Sequence, residues 1–348
     1  MRAVTSGAVA PRNTLWFGGR SLLPGLLFTA TIAMVALKLR DLVGIPALSP
    51  LIIAIVLGMA IQNTVGTPAA LKPGVTFSMR RILRFAIVLF GLQLSLSQVV
   101  EVGGIGLSVI AASLIGTFLF TMWIGRLFGL DRKLAQLIAA GTSICGASAV
   151  VAANTVTRAS DEDVAYAVAC VTVFGSASML LYPALEGFVQ LTPHAFGLWA
   201  GASIHEVAQV IAAAFQDGQE AGNFGTIAKL SRVMLLAPTI LVLSYLSADR
   251  RKAGRVTNSE QSSVPVPWFV LGFIAMMLLN SLDLIPRTEK AFLVQATTVL
   301  LMVALAAMGL QTDFGKLRAK GWKPLLVGAG SWLFISTFSL ALVELTYH

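Results

Sequence analysis

Two ionisable residues stand side by side in an apolar stretch of this 348-residue sequence. His205 and Glu206 lie within GASIHEVAQV, which runs from Gly201 to Val210, and Gln209 follows shortly after. On a helix, residues three and four positions apart share a face, so these three side chains would face the same way. A carboxylate beside an imidazole can exchange a proton near neutral pH. We therefore predict an ion-coupling role for His205, Glu206 and Gln209, and the alternative is a structural pair that seals a helix bundle.

A second segment, GTSICGASAV from Gly141 to Val150, has a similar frame without the charges, 60 residues earlier. Its small and hydroxyl residues would allow close helix packing in a membrane. They are also typical of a helix interrupted near the membrane midplane, whose unpaired backbone N–H groups favour a small anion. On the second interpretation, the predicted substrate-binding residues are Gly141, Thr142, Ser143, Gly146, Ser148, Gly201 and Ser203.

Two basic residues, Lys229 and Arg232, stand at the start of another apolar run. Arg232 could extend its side chain to the outer membrane surface, or turn inward. In the inward arrangement, both residues are candidates for the counter-charge of a bound anion.

Known catalytic motifs are incomplete. The stretch from His205 to Gln209 is one residue short of the zinc motif H-E-x-x-H, because Gln209 replaces the second ligand. Neither Ser143 nor Ser148 lies in a G-x-S-x-G motif. The two cysteines lie in apolar segments and predict no disulfide framework. We therefore expect no enzyme activity, no metal and no cofactor.

Composition predicts what surrounds these residues. The chain is 56% hydrophobic and 12% charged, with a mean hydropathy of +0.82. Soluble proteins carry about 25% charged residues, so most of this surface must face lipid. The net charge of +9 is then explained by basic loops on the cytoplasmic side, and no nucleic-acid partner is expected.

The apolar runs predict an all-α integral membrane protein with about 11 transmembrane helices, some of them broken. Most of the 25 Lys and Arg residues then fall on one side, which places the N-terminus in the cytoplasm and the C-terminus outside. The predicted spans are 22–37, 47–65, 82–99, 104–125, 134–157, 164–190, 194–216, 224–246, 267–282, 290–310 and 324–345.

The whole chain, 1–348, is predicted to be one transmembrane domain, with a polar cytoplasmic linker at 247–265. A second internal similarity joins Gly91-Leu92-Gln93 to Gly309-Leu310-Gln311. These triplets are seven predicted spans apart, which suits an inverted repeat. The two glycine–serine segments are two spans apart, which would make them parallel. Either one similarity is chance, or one segment is a re-entrant or broken helix counted wrongly.

Four ordered motifs resemble a bacterial family of multi-span inner-membrane proteins, carried as conserved hypothetical proteins and labelled sulfate exporters. The motifs are GLQLSLSQV (91–99), GTSICGASAVVAA (141–153), GASIHEVAQVIAA (201–213) and KLSRVMLLAP (229–238). The resemblance implies a fold like that of the bile-acid-symporter and sodium–proton-antiporter group, with crossing broken helices and two subdomains.

The sequence and this resemblance together predict a secondary transporter of a small anion, with sulfate or an organosulfonate as the leading substrate. Protons or sodium ions would drive it through a multi-pass protein of the bacterial inner membrane, either as a monomer or as a homodimer. One alternative is a cation–proton antiporter in which Glu206 binds the cation directly. Another is an anion channel, which needs the pocket but no coupling residue.

Overall fold

The computed structural model describes residues 19–43, 49–253, 268–315 and 320–347, and within them it contains helices and no strand. Among these described residues, six helices are long and apolar enough to cross a membrane. They confirm the predicted all-α membrane class. Their apolar ranges are Ser21–Leu42, Val102–Leu127, Asp161–Val189, Gln219–Tyr245, Thr288–Gln311 and Trp322–Tyr347.

We number the α-helices in chain order. The first part contains α1 (Gly19–Val43), α2 (Pro50–Thr64), α3 (Lys72–Phe77), α4 (Leu83–Phe90) and α5 (Leu96–Leu127). The middle contains α6 (Arg132–Ser143), α7 (Ala147–Thr157), α8 (Asp161–Val189), α9 (Pro193–Ser203), α10 (Val207–Ala214), α11 (Gln219–Met234) and α12 (Leu236–Ala253). The last part contains α13 (Trp268–Ser281), α14 (Arg287–Gln311) and α15 (Trp322–Tyr347).

Two predicted boundaries are corrected. A π-helical turn (Ser78–Ile82) joins α3 to α4, and a 3-10 turn (Gly91–Gln93) follows, so this helical segment covers 72–93 rather than 82–99. The prediction began too late because basic residues were assigned to a loop, although long basic side chains can reach the interface from within a helix. Helix α12 also continues to Ala253, into the predicted linker; residues 254–265 of that linker lie outside the described residues.

The predicted span 134–157 does not cross the membrane. It consists of α6 and α7, and Lys133 Nζ at its start donates a hydrogen bond to the carbonyl of Arg158 at its end, at 2.9 Å. A straight crossing of this length would separate those ends by about 35 Å. The segment is therefore a re-entrant hairpin, which we name the first hairpin (residues 132–157).

The predicted span 194–216 is a second re-entrant hairpin. Its helices are α9 and α10, and Nδ1 of His194 near its start lies 2.9 Å from Oε1 of Glu220, just beyond its end. Both spans were predicted as crossings because an apolar run of bilayer length looks the same whether or not the chain turns back inside it. We name residues 193–214 the second hairpin.

The two hairpins enter from opposite sides. Helix α15 has Lys320 just before its start, paired with Asp163 next to the base of the first hairpin. The other end of α15 places Glu344 and Tyr347 against Gln190 and Thr192, next to the base of the second hairpin. Because α15 is long enough to cross the membrane, the two bases lie at opposite membrane faces. The two glycine–serine segments are therefore inverted, and counting both hairpins as crossings had made them look parallel.

The helices pack as two groups. Helices α1–α4, α13 and α14 contact one another, and α5–α12 with α15 form the other group. The larger contacts between the groups are made by α10 with α2 and α14, and by α5 with α13. The hairpins belong to the second group, and α10 faces the first.

The Gly-Leu-Gln triplets occupy equivalent positions in the first group. Gly309 lies against the backbone of α2 at Ile55, and Gly91 lies against the backbone of α13 at Phe273, so neither position has room for a side chain. Helix α2 packs against the triplet at 309–311 and precedes the triplet at 91–93 in the chain. Helix α13 packs against the triplet at 91–93 and precedes the triplet at 309–311. The similarity therefore corresponds to a repeated packing arrangement.

An asparagine at the end of each partner helix completes this arrangement. Asn63 of α2 donates to the carbonyl of Thr312 at 2.8 Å, and Asn280 of α13 donates to the carbonyl of Leu94 at 2.8 Å. Each carbonyl belongs to the residue directly after a Gly-Leu-Gln triplet. Both asparagines satisfy a carbonyl that the end of a helix leaves without an intrahelical partner.

The hairpin topology can be tested by cysteine labelling of whole cells with a membrane-impermeant maleimide. We expect Arg132→Cys and Glu162→Cys to be protected from outside and labelled only after lysis, because both flank the base of the first hairpin. Pro193→Cys, at the base of the second hairpin, should be labelled from outside. Cys145 and Cys170 are buried and provide the background. Opposite accessibility of positions 132 and 162 would restore a crossing at 134–157.

Candidate functional site

The tips of the two hairpins are interrupted at equivalent residues. Helix α6 ends at Ser143 and α7 begins at Ala147, whereas α9 ends at Ser203 and α10 begins at Val207. The offset of 60 residues found in the sequence therefore matches the two interruptions residue by residue. The tip residues are Ile144-Cys145-Gly146 in the first hairpin and Ile204-His205-Glu206 in the second.

The tips meet through a carboxylate. Glu206 Oε1 accepts a hydrogen bond from the backbone N–H of Ala147 at 2.7 Å, at the first residue of α7. Gly146 has a φ of +67°, and a Cβ at this position would collide with the Glu206 carboxylate. This position therefore requires glycine for its backbone conformation and for the space that Glu206 occupies.

Gln209 holds the other side of Glu206. Its Oε1 accepts the backbone N–H of Glu206 at 3.1 Å, and its Nε2 donates to Ser176 Oγ at 3.2 Å and to the Thr172 carbonyl at 3.3 Å. Because Ser176 and Thr172 belong to α8, Gln209 fixes the second tip against a membrane-crossing helix.

Two buried cations bind the other ends of the broken helices. Lys229 Nζ donates to the carbonyls of Ile144 at 2.9 Å and Ile204 at 2.6 Å, which are equivalent positions in the two tips. The last carbonyls of a helix have no intrahelical partner and carry partial negative charge. One ammonium group therefore satisfies the negative ends of both hairpins.

Arg232 binds three more of these carbonyls. Its Nε and one terminal nitrogen donate to Ser143 and Thr142, both at 2.6 Å, and the other terminal nitrogen donates to Ala202 at 2.7 Å. The side chain is fully buried, so it turns inward and does not reach the outer surface. Lys229 and Arg232 bind the helix ends directly, and their role as counter-charge for a bound anion stays a prediction.

The predicted binding residues divide between the two kinds of helix end. Gly141, Thr142 and Ser143 lie at the end of α6, and Gly201 and Ser203 at the end of α9, where the helix dipole is negative. The expectation that these residues form a positive helix end is corrected, since the positive ends begin at Ala147 and Val207. An interruption places both kinds of end within four residues, and sequence alone does not separate them.

The glycines and serines of these segments have different surroundings. Gly141 packs against Val150 and Val171, and Gly201 packs against the backbone of α11 at Gly225, which fits the helix-packing alternative. Ser203 is already bonded, since it accepts from Tyr182 and donates to the carbonyl of Trp199.

The predicted hydroxyls at the tips differ from Ser203. Ser148, in the first turn of α7, is exposed and donates to the carbonyl of Cys145. Ser143 Oγ is buried and has no hydrogen-bond partner among the described residues.

His205 also differs from its prediction. It lies in the interruption and not on a helix, so it does not share a helical face with Glu206 and Gln209. The side chain is fully buried, and within the described part of the chain neither Nδ1 nor Nε2 has a hydrogen-bond partner. Most buried polar groups in proteins have a hydrogen-bond partner in the protein or in ordered water, so these two nitrogens need an explanation.

Comparisons with known proteins place the chain in a family. Residues 24–328 match the family model described as conserved hypothetical protein 698. The chain belongs to this family. It is 39% identical to the UPF0324 inner membrane protein YeiH of Salmonella typhi over 337 residues, 93% of each chain. It is also 39% identical over 317 residues, 89% of each chain, to a UPF0324 membrane protein of Pseudomonas putida.

This membership agrees with the structure. Relatives named inner membrane proteins cover nearly the whole chain, and the six long apolar helices require more than one crossing. The protein is therefore a multi-pass membrane protein of this family. The two hairpins, residues 132–157 and 193–214, both fall inside the part matched by the family model.

Some contributors to the site carried no usable sequence signal. Ala147 contributes a backbone N–H, and the carbonyls that Lys229 and Arg232 bind are also backbone groups. Tyr182 and Trp199 stack with ring centroids 3.8 Å apart beside Ser203. Polar aromatic residues within apolar spans were the one signal that could have indicated this contact.

The fit between Gly146 and Glu206 predicts a large effect of one added methyl group. Gly146→Ala should destabilise the protein by more than the roughly 1–3 kcal/mol that a residue with a side chain loses at such backbone angles (φ +67°, ψ −133°). Gly103→Ala is the matched control, because Gly103 has similar backbone angles (φ +57°, ψ −170°) but open space around it. Thermal unfolding in detergent would compare them, and equal losses would show that Glu206 does not occupy this space.

Proposed function

We propose that this protein is a secondary transporter of a small anion, which binds where the two hairpin tips meet. The observation that carries the proposal is the contact of Glu206 Oε1 with the N–H of Ala147. In this contact the beginning of α7 binds a carboxyl oxygen of another helix interruption. Helix N-termini bind free anions by the same backbone groups and the same dipole.

The charges around the tips favour an anion. Lys229 and Arg232 contribute two positive charges and Glu206 one negative charge, and Lys229 and Arg232 are fully buried. The two negative helix ends and the two positive helix ends approximately cancel, since each amounts to about half a charge. With all three side chains ionised, the site is left with about one positive charge, which a bound anion would balance.

The hairpins also suit alternating access. The first hairpin separates the tips from one membrane face, and the second separates them from the opposite face. Transporters of several folds place their substrate at such discontinuous helices near the membrane midplane, between repeats of inverted topology. A small movement of one hairpin would expose the tips to one side only.

The substrate and the driving ion come from the sequence and the family resemblance. Sulfate or an organosulfonate is the leading substrate, and Glu206 and His205 are the groups that could carry a coupling proton. Sodium coupling is the alternative. A cation–proton antiporter is the second candidate, because Glu206 places a carboxylate at the centre of the site, where a cation could bind it.

Reconstitution into liposomes would test the proposal. We expect saturable uptake of labelled sulfate or methanesulfonate that depends on an imposed proton or sodium gradient, with protein-free liposomes as the control. Uptake that does not saturate and needs no gradient would identify an anion channel. Cation flux coupled to protons, without anion uptake, would identify the antiporter.

The unpartnered hydroxyl of Ser143 gives a second test. Ser143→Leu should abolish binding of the transported anion in a thermal-shift titration, because the larger apolar side chain fills the space beside the tips and removes a donor. Ser143→Ala removes the donor alone and should weaken binding less. Unchanged affinity in Ser143→Leu would assign this segment to helix packing.

A further inference from the structure

The two tips differ at two pairs of positions, Cys145/His205 and Gly146/Glu206, and the second pair joins the two hairpins. Glu206 in the second hairpin corresponds to Gly146 in the first, at the same offset of 60 residues. The carboxylate of Glu206 extends to the other hairpin, and the missing side chain of Gly146 provides the room for it. The contact is not reciprocal, because Gly146 has no side chain that could reach the beginning of α10.

We propose that Glu206 competes with the transported anion for the beginning of α7. This inference rests on the proposed function. While ionised, the carboxylate occupies the N–H of Ala147, and two negative charges cannot share one helix end that carries about half a positive charge. Once Glu206 takes up a proton, the neutral carboxyl group yields its position to the anion. One proton and one anion therefore bind together, and the transporter is a proton–anion symporter.

The surrounding groups support a change of charge at Glu206. From α11, Lys229 and Arg232 face the tips, but their charges are bound to five backbone carbonyls. The hydroxyl of Tyr182 in α8 donates a hydrogen bond to Ser203. Helix α14 contacts Gln209 through the sulfur of Met308, which does not titrate.

The remaining titratable groups at the tips are Cys145 and His205. Cys145 contacts Ser148, and His205 is the other group besides Glu206 that could take up a proton near neutral pH. The test must therefore separate Glu206 from His205.

Two unpaired groups point independently to a ligand at the tips. Ser143 Oγ and both ring nitrogens of His205 are completely buried and have no partner among the described residues. A hydroxyl group and an imidazole N–H are donors that an anion oxygen can accept from. Ser143 directly precedes the first tip and His205 lies in the second, and the Glu206 carboxylate joins the two tips.

The first experiment measures sulfate binding to the purified full-length protein between about pH 5.5 and about pH 8.5, where sulfate keeps its charge. If one proton must bind with each anion, the apparent Kd rises about tenfold per pH unit on the alkaline side. We expect this slope in the wild type and in His205→Gln, and a Kd independent of pH in Glu206→Gln. Sulfate binding without a pH slope in the wild type, or a slope that persists in Glu206→Gln, would overturn the competition and leave the anion-transporter function intact.

A second experiment needs no substrate. The thiol of Ser148→Cys, in the first turn of α7, should react with maleimide about fivefold faster when Glu206→Gln is added, because the negative charge that disfavours the thiolate is removed. The Cys145→Ala background prevents a disulfide with the neighbouring cysteine. Equal reaction rates with and without Glu206→Gln would overturn the proposal, independently of the result for sulfate binding. Faster reaction without binding of sulfate or methanesulfonate at any pH would overturn the proposed anion transport itself.

Discussion

The whole arrangement depends on how one chain can end two helices, α6 and α9, inside a membrane. The hydrocarbon region offers no water to the last carbonyls of α6 and α9, and each unpaired group would cost several kcal/mol. Lys229 and Arg232 supply the donors from a third helix, α11, which passes both ends. In return, the carbonyls stabilise two cations that would be unfavourable alone at this depth. Neither the interrupted helices nor the buried cations are stable without the other.

Close helix packing makes this possible. Gly197 and Gly201 of α9 lie against the backbone of α11, where Gly225 continues the contact. Lys229 follows Gly225 by one helical turn, so the same approach that excludes side chains also brings its ammonium group to the end of α9. Small residues in membrane helices commonly permit such contacts. The glycines of the second segment are therefore part of the geometry that positions the cations.

Local features of the site could be predicted from the sequence, and its topology could not. The small-residue segments, the ionisable residues at 205, 206, 229 and 232, and the offset of 60 residues all mark groups that the structure brings together. The direction of the chain after each interruption depends on contacts such as that between Lys133 and Arg158, which lie 25 positions apart. Hydropathy does not distinguish a re-entrant hairpin from a membrane-crossing helix, because both halves of the hairpin are as apolar as a crossing helix. Counting both hairpins as crossings adds two spans, which leaves the predicted sides of the two termini unchanged. The distribution of basic residues therefore did not reveal the error.

The difference between Gly146 and Glu206 is an exception to the inverted symmetry of the fold. Asn63 and Asn280, Gly309 and Gly91, and the carbonyls of Ile144 and Ile204 are matched pairs with matched contacts. A site built from two identical halves would present two identical helix ends to a ligand. One carboxylate breaks this equivalence, because it extends from the residue before α10 to the first N–H of α7, whereas Gly146 has no side chain to extend toward α10. The asymmetry lies at the point where both hairpins meet, so a change in the charge of one side chain acts on both at once.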